Sequence, residues 1–241
     1  MNPRIPRPAA AALLALLCAC AASPAVAADS AQHSSYWRER TSFFRVLGQK
    51  ADVVMIGDSL TDGAEWAEMF PEQDIVNRGI DGDTTHGVLA RLDTILKLEP
   101  KRVFVMVGIN DFAELHRSVA SVFAHYRTLV RRLSQAGAHV FVQSTLPCNE
   151  AKGAWKSCAS VNPKIRQLNA RLQTLAAEND IENGDDNVTF IDLRPVLARK
   201  GGLKRELTYD GIHLNGEGYR LWKEAIAPHM PPPLRQAGPV R

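Results

Sequence analysis

The sequence predicts an α/β fold in which a parallel sheet is covered by helices. Three observations carry this. Short runs of large apolar residues, each ending at a glycine or a polar turn, recur along the chain at Val53–Ile56, Val103–Val107, Val140–Val142 and Val188–Ile191, with a shorter one at Ile75-Val76. Between them lie segments with apolar residues at helical spacing, and the two kinds of segment alternate. Strands that are continuously apolar, not alternately polar, are those buried on both faces, which is the condition of a parallel sheet.

In chain order, Tyr36-Trp37-Arg38 and Phe43-Phe44 mark a short aromatic helix that packs on the domain. The run Val53–Ile56 breaks at Gly57 and delivers Asp58-Ser59-Leu60, so Ser59 is expected at the carboxyl edge of the sheet with a helix beginning just after it. Asp74–Ile80 reads as the second strand, closed by Gly79, and Asp81–Thr85 as a turn into one helix carrying Val88, Leu89, Leu92, Ile95 and Leu96, ended by Pro100. The third strand breaks at Gly108-Ile109-Asn110-Asp111, and a helix from about Ser118 to Gln135 stops at Gly137. The fourth strand leads to Pro147 and a polar loop; a helix with Ile165, Leu168, Leu172 and Leu175 leads to the fifth. The last segment, Thr208–Asn215, precedes a helix with Leu221, Trp222 and Ile226, and the tail from 229 to 241 reads as loose.

Residues 1–27 have the form of a secretory leader: Arg4 and Arg7, an Ala/Leu-rich run, then Ala25-Val26-Ala27. The apolar run is shorter than the ~20 residues of a spanning helix, so no integral membrane span is expected in the mature protein. A lipoprotein box ending at Cys20 is the weaker alternative, because Cys18 fits that pattern poorly. Export to the periplasm or the exterior follows, with residues 28–50 as the aromatic segment and 51–228 as one domain. Of 29 basic and 26 acidic residues, loss of the leader leaves 27 against 26. A nearly neutral surface gives no case for nucleic acid as a partner. Cys148 and Cys158 remain in the mature chain and are expected to form a disulfide that orders the loop between them. They lack zinc-ligand spacing even with His139, and neither a metal nor another cofactor is implied.

Ser59, Gly79, Asn110 and the Asp210/His213 pair therefore fall at strand ends on one edge of the sheet. Their chemistry is complementary. A serine hydroxyl becomes a nucleophile when an imidazole takes its proton, and the imidazole needs an acceptor that fixes its tautomer. Asp210-Gly211-Ile212-His213 is a spacing that lets a turn bring carboxylate and imidazole together. Backbone N–H groups of Ser59 and Gly79 and the amide of Asn110 are candidate donors to a developing oxyanion. Asp58, Asp62, Asp81 and Asp83 read as turn and cap residues, and His86, His116 and His125 as packing or solvent-facing ones. Trp66 and Trp155 either line a cleft or cover the core.

The four blocks Gly57-Asp58-Ser59-Leu60, Gly79, Gly108-Ile109-Asn110-Asp111 and Asp210-Gly211-Ile212-His213 resemble, in order, those of the SGNH, or GDSL, esterase family. The resemblance spans about residues 50 to 228. It implies a three-layer α/β/α sandwich on a flavodoxin-like five-stranded parallel sheet, with Ser59 as nucleophile, His213 as base, Asp210 as its orienting acid, and Gly79 and Asn110 completing the oxyanion hole. No Gly-x-Ser-x-Gly elbow is present, since Thr61 stands two residues after Ser59. Asn77–Thr85 and Gln143–Pro147 are similar to members related to platelet-activating-factor acetylhydrolase and to sialate O-acetylesterases, which implies small acyl groups and a small-molecule or carbohydrate ester as substrate. The same machinery also suits a lysophospholipase or thioesterase, and the same fold a catalytically silent carbohydrate-binding module.

Overall fold

The computed structural model describes residues 34–152, 157–182 and 187–233. The leader with Cys18 and Cys20, Trp155, and the tail from residue 234 lie outside the described residues. The chain opens with α1 (Ser35–Leu47), followed by β1 (Val53–Gly57), α2 (Ser59–Asp62), α3 (Trp66–Met69) and β2 (Ile75–Gly79). Then come α4 (Thr85–Ala90), α5 (Asp93–Leu96), β3 (Arg102–Met106), α6 (Ile109–Ala113), α7 (Val119–Gln135) and β4 (His139–Gln143). The last stretch holds α8 (Cys158–Glu182), β5 (Val188–Ile191), α9 (Arg194–Leu197), a hairpin of β6 (Ala198–Arg199) and β7 (Gly202–Leu203), and α10 (Gly216–Ile226).

The five long strands form one sheet in the order β2-β1-β3-β4-β5, every pair parallel. Side chains alternate between its faces, as the period of two requires. Val54, Ile56, Val103, Val105, Val140 and Val142 pack with Val88, Tyr126, Leu129, Ile165 and Leu168 from α4, α7 and α8. Val53, Met55, Phe104, Met106 and Phe141 pack on the other face with Leu60, Trp66, Leu197 and Trp222 from α2, α3, α9 and α10. The parallel sheet is the one that the alternation predicts, and two apolar layers around it make the three-layer α/β/α sandwich that the family resemblance implies.

Several boundaries differ from expectation. The single helix expected after Asp81–Thr85 is two, α4 and α5, parted at Arg91, whose side chain is completely buried and whose carbonyl accepts the Thr94 hydroxyl at 2.7 Å. A buried guanidinium must reach its acceptors, and the backbone turns to let it do so. Residues 229–231, expected in the loose tail, are packed: the His229 ring lies 5.3 Å from that of Phe141, and Gln73 Nε2 donates to Pro231 O at 3.0 Å. Trp66 covers the core, edge-on to Trp222 with ring centroids 5.1 Å apart. Of the aromatics on α1, Trp37 and Phe44 are buried with Ile80, whereas Tyr36 and Phe43 are exposed.

Cys148 and Cys158 form a disulfide, with Cα atoms 5.6 Å apart and both residues buried. It ties the loop after β4 to the start of α8. Because it closes a short loop, its removal as the Cys148→Ala/Cys158→Ala pair is expected to lower unfolding free energy by about 3 kcal/mol in a urea titration.

Candidate active site

Ser59 is held where it is by the close approach of two backbones. A Cβ on Gly57 would fall 2.4 Å from Met106 O, and one on Gly79 would fall 2.2 Å from Asp62 N. Glycine at both positions lets α2 lie directly against the ends of β1 and β2. The helix is a single turn that begins at Ser59 itself, capped by Asp58, whose Oδ1 accepts the Leu60 N–H at 3.1 Å. The helix expected just after Ser59 is thus one turn long, and a turn this short carries little dipole. Asn77 locks the arrangement: its Nδ2 donates to the carbonyls of Thr61 and Asp62 at 2.9 Å each and Ala64 at 3.2 Å.

Facing Ser59 is the loop between β7 and α10. The Asp210 Oδ1 accepts the N–H groups of Ile212 and His213 at 2.9 and 2.8 Å, and its Oδ2 accepts His213 Nδ1–H at 2.6 Å. Gly211 turns the chain with φ of 98°. With Nδ1 protonated toward the carboxylate, Nε2 is the acceptor, and it lies 2.9 Å from Ser59 Oγ. Partial burial would raise the Asp210 carboxyl, but the hydrogen bond from His213 and the two backbone N–H groups together hold it below its ordinary value. Tyr209, largely exposed, stacks over the His213 ring at 5.8 Å between centroids.

Asn110, buried at the start of α6, donates Nδ2–H to Asp83 O at 2.9 Å, which leaves its second amide hydrogen. Gly79 corrects an expectation. Its N–H donates to Asn77 Oδ1 at 2.8 Å. The reason is strand parity: β2 is the sheet edge, the Ile80 N–H goes inward to Gly57 O at 3.1 Å, and the N–H one residue before it points outward. Gly82 has the free geometry instead. It sits in the following turn with φ of 73°, and its N–H has no partner among the described residues. That turn is pinned by Asp81 N–H to Asp62 Oδ2 at 3.2 Å and by the Asn110 bond to Asp83.

Beneath these residues lie three buried carboxyls. Asp83 binds the equally buried Arg91 at 2.8 Å and accepts Trp37 Nε1–H at 3.0 Å, so α1 is wired to the turn that carries Gly82. Asp111 accepts the Thr85 N–H at 2.8 Å and hydroxyl at 2.7 Å, joining α6 to α4. Burial pushes Asp111 up to about 6. It pushes Asp58 up to about 7, with the charges of Asp83 and Asp111 adding to the effect. His125, whose Nδ1 lies 2.9 Å from the Thr85 hydroxyl, is pushed down to about 4 by burial and then by Arg117 and His86. His116 is exposed.

Two outcomes are expected from this framework. Asp58 binds its proton more tightly in the folded protein than in the unfolded chain, so the stability it contributes is full at acid pH and is lost as pH rises through 7. Asp58→Asn, which keeps the cap, should therefore remove about 2–3 kcal/mol of the stability difference between pH 5 and pH 8, read from urea midpoints. Asn77→Ala leaves the Gly79 N–H and the carbonyls of α2 without their partner. It should cost about 2 kcal/mol in the same measurement.

Residues 55–221 match the GDSL-like Lipase/Acylhydrolase family. The platelet-activating factor acetylhydrolase IB subunit alpha1 of Rattus norvegicus is 30% identical over 178 residues, 71% of each chain. A GDSL-like lipase from Bacteroides thetaiotaomicron superposes with a TM-score of 0.67 at 23% identity, covering 80% of this chain and 96% of that one. An acetyl-xylooligosaccharide esterase from Geobacillus Stearmophilus gives 0.52 at 22% identity, covering 75% and 94%. The chain belongs to the GDSL-like lipase/acylhydrolase family and is a carboxylic ester hydrolase.

Proposed function

We propose that the protein is an exported serine esterase that removes short acyl groups, acetyl above all, from O-acylated carbohydrates. The observation that carries the reading is the continuous chain Ser59 Oγ, His213, Asp210, with steps of 2.9 and 2.6 Å. In that reading His213 Nε2 takes the hydroxyl proton as Ser59 Oγ attacks the ester carbonyl, while Asp210 holds the imidazole in the required tautomer and stabilises its cation. The oxyanion meets the Ser59 N–H, the second Asn110 amide hydrogen and the Gly82 N–H in place of that of Gly79. His213 then gives the proton to the departing alcohol, leaving an acyl-Ser59. Water, deprotonated by the same imidazole, releases the acid.

The choice of substrate rests on the surroundings. A cavity of about 370 Å³ beside the turn at Asp62 is lined by Tyr36, Arg40, Asp62, Glu65 and Asn77 together with Ala64, Trp66, Ala67 and Ile75. Tyr36, Arg40 and Glu65 supply polar groups for hydroxyls, and Trp66 and Ile75 are buried, which favours a small polar alcohol part over a long acyl chain. The fold shared with an acetyl-xylooligosaccharide esterase agrees with acetyl transfer to water. The stretch Gln143–Leu146 contributes nothing to substrate choice by direct contact, since its side chains are buried; Ser144 Oγ, for instance, accepts the Leu193 N–H at 2.9 Å. Export is supported by the leader-like start of the sequence and by the disulfide between Cys148 and Cys158.

The test is hydrolysis of p-nitrophenyl esters from acetate to long chain, beside a folded Ser59→Ala control. The expected result is a steep preference for acetate, abolished in Ser59→Ala, and at least about a tenfold fall in kcat for Asn110→Ala with the fold intact. Equal rates on long chains would replace the short-acyl reading with a lipase one. Unchanged turnover in Ser59→Ala would remove the nucleophile.

A further inference from the structure

A second cavity, of about 360 Å³, opens at the carboxyl ends of β4 and β5, between α8 and the β6–β7 hairpin. Its floor is apolar and short, made by Pro147, Ile165, Pro195 and Ala198. Its rim is cationic. Arg194 is committed to Asp192 through two bonds of 2.7 Å and Arg199 to Glu206 at 3.4 Å, whereas Arg166 and Lys200 have no carboxylate partner among the described residues. The two are brought together by the hairpin: Gly201, in the turn beside Lys200, lies so near α8 that a Cβ there would be 3.6 Å from Arg166 Nη1. Lys200 and Gly201 are the two central residues of the turn, with φ of 51° and 78°. Such turns favour Asn or Gly at the first of these positions, so a lysine there is held against its own conformational preference. Arg166 and Lys200 thus both stand on the rim of an apolar floor.

The cavity shares the sheet edge with Ser59. From β1 to β4 and β5 is two to three strand spacings, about 10–14 Å, the reach of a short oligosaccharide lying along that edge. The hairpin is also tied to the Asp210–His213 loop, because Asn149 donates Nδ2–H to Leu203 O at 2.6 Å and its N–H to Gly211 O at 2.8 Å.

We propose that Arg166 and Lys200 form a subsite for a carboxylate on the alcohol part of the ester, so that the preferred substrates are O-acylated acidic sugars. The proposal rests on the esterase reading for its catalytic meaning but not for its binding. Paired cations recognise a carboxylate, and the prolyl and alanyl floor suits the apolar face of a pyranose ring better than an extended lipid chain.

The experiment is calorimetric titration of folded Ser59→Ala with an unacetylated hexuronic acid trimer and with xylotriose, repeated in Arg166→Ala/Lys200→Ala added to the same background. The expected result is preferential binding of the acidic trimer, weakened at least tenfold by the double substitution, with xylotriose unaffected. With Ser59 present, the double variant should hydrolyse p-nitrophenyl acetate at the wild-type rate. Equal affinity for both trimers, or acidic-trimer affinity indifferent to the double substitution, overturns the subsite. Tighter binding of glycerol 3-phosphate than of the acidic trimer overturns the sugar assignment. Preferential uronate binding by a protein that hydrolyses no p-nitrophenyl ester supports the subsite and overturns only the esterase reading.

Discussion

The geometry at Ser59 depends on one side-chain amide. Asn77 gives its Nδ2 hydrogens to the carbonyls of Thr61, Asp62 and Ala64, and its Oδ1 takes the Gly79 N–H, so a single residue of the edge strand holds the end of α2 and the end of β2 together. A one-turn helix cannot satisfy its own carbonyls. Without an outside donor it would fray, and Ser59, its first residue, would lose its position relative to His213. The glycines at 57 and 79 serve the same end by removing the side chains that would keep the two backbones apart. The placement of Ser59 is therefore a property of backbone packing, secured by one polar residue.

The layer beneath is electrostatic. Asp83 and Asp111 add to the upward push of burial on Asp58, and Asp83 does the same to Asp111, while Asp83 with Arg91 forms an ion pair with both side chains almost wholly out of water. Such a pair is a poor source of net stability, because desolvation offsets the attraction. Its effect is directional. Arg91 also reaches Arg78 O at 2.9 Å, Asp83 engages Trp37 of α1, and the Asp83 carbonyl receives Asn110. The turn with Gly82 is thus fixed from the strand, from α1 and from α6 at once, so its N–H and the Asn110 amide are held with little freedom to reorganise.

Much of this was legible in the sequence, for physical reasons that also explain the rest. The strands declare themselves because burial on both faces demands unbroken apolar runs, and Val54 and Ile56 lie on one face with Val53 and Met55 on the other. That Ser59, Asp210 and His213 would meet was readable because their residue types are complementary and a tight turn can join two of them. The hydrogen-bonding parity of an edge strand was harder to see. Gly79 and Gly82 are alike as letters, and only the direction of the Ile80 N–H shows which of them turns its own N–H outward. The break at Arg91 was hidden because apolar spacing continues through it, and the two-residue strands of the hairpin at 198–203 are too short for any periodicity.

His213 is held from the β4 side of the sheet, whereas Ser59 is held from the β1 and β2 side. Its loop is bridged across itself by Thr208 Oγ1, which donates to His213 O at 2.6 Å and accepts the Gly211 N–H at 2.9 Å. Gly211 in turn lies against Asn149 so closely that a Cβ would stand 2.3 Å from the Asn149 carbonyl oxygen. Asn149 follows Cys148, whose N–H and carbonyl are both taken by the Asn162 side chain, at 3.0 and 2.9 Å. The disulfide to Cys158 fastens that same residue to the start of α8. The path from the disulfide to the imidazole is thus a run of backbone contacts with no long flexible side chain in it. The bridge then does more than close a loop: it fixes the wall against which the histidine turn is packed, and places His213 with the same economy of backbone contact that places Ser59.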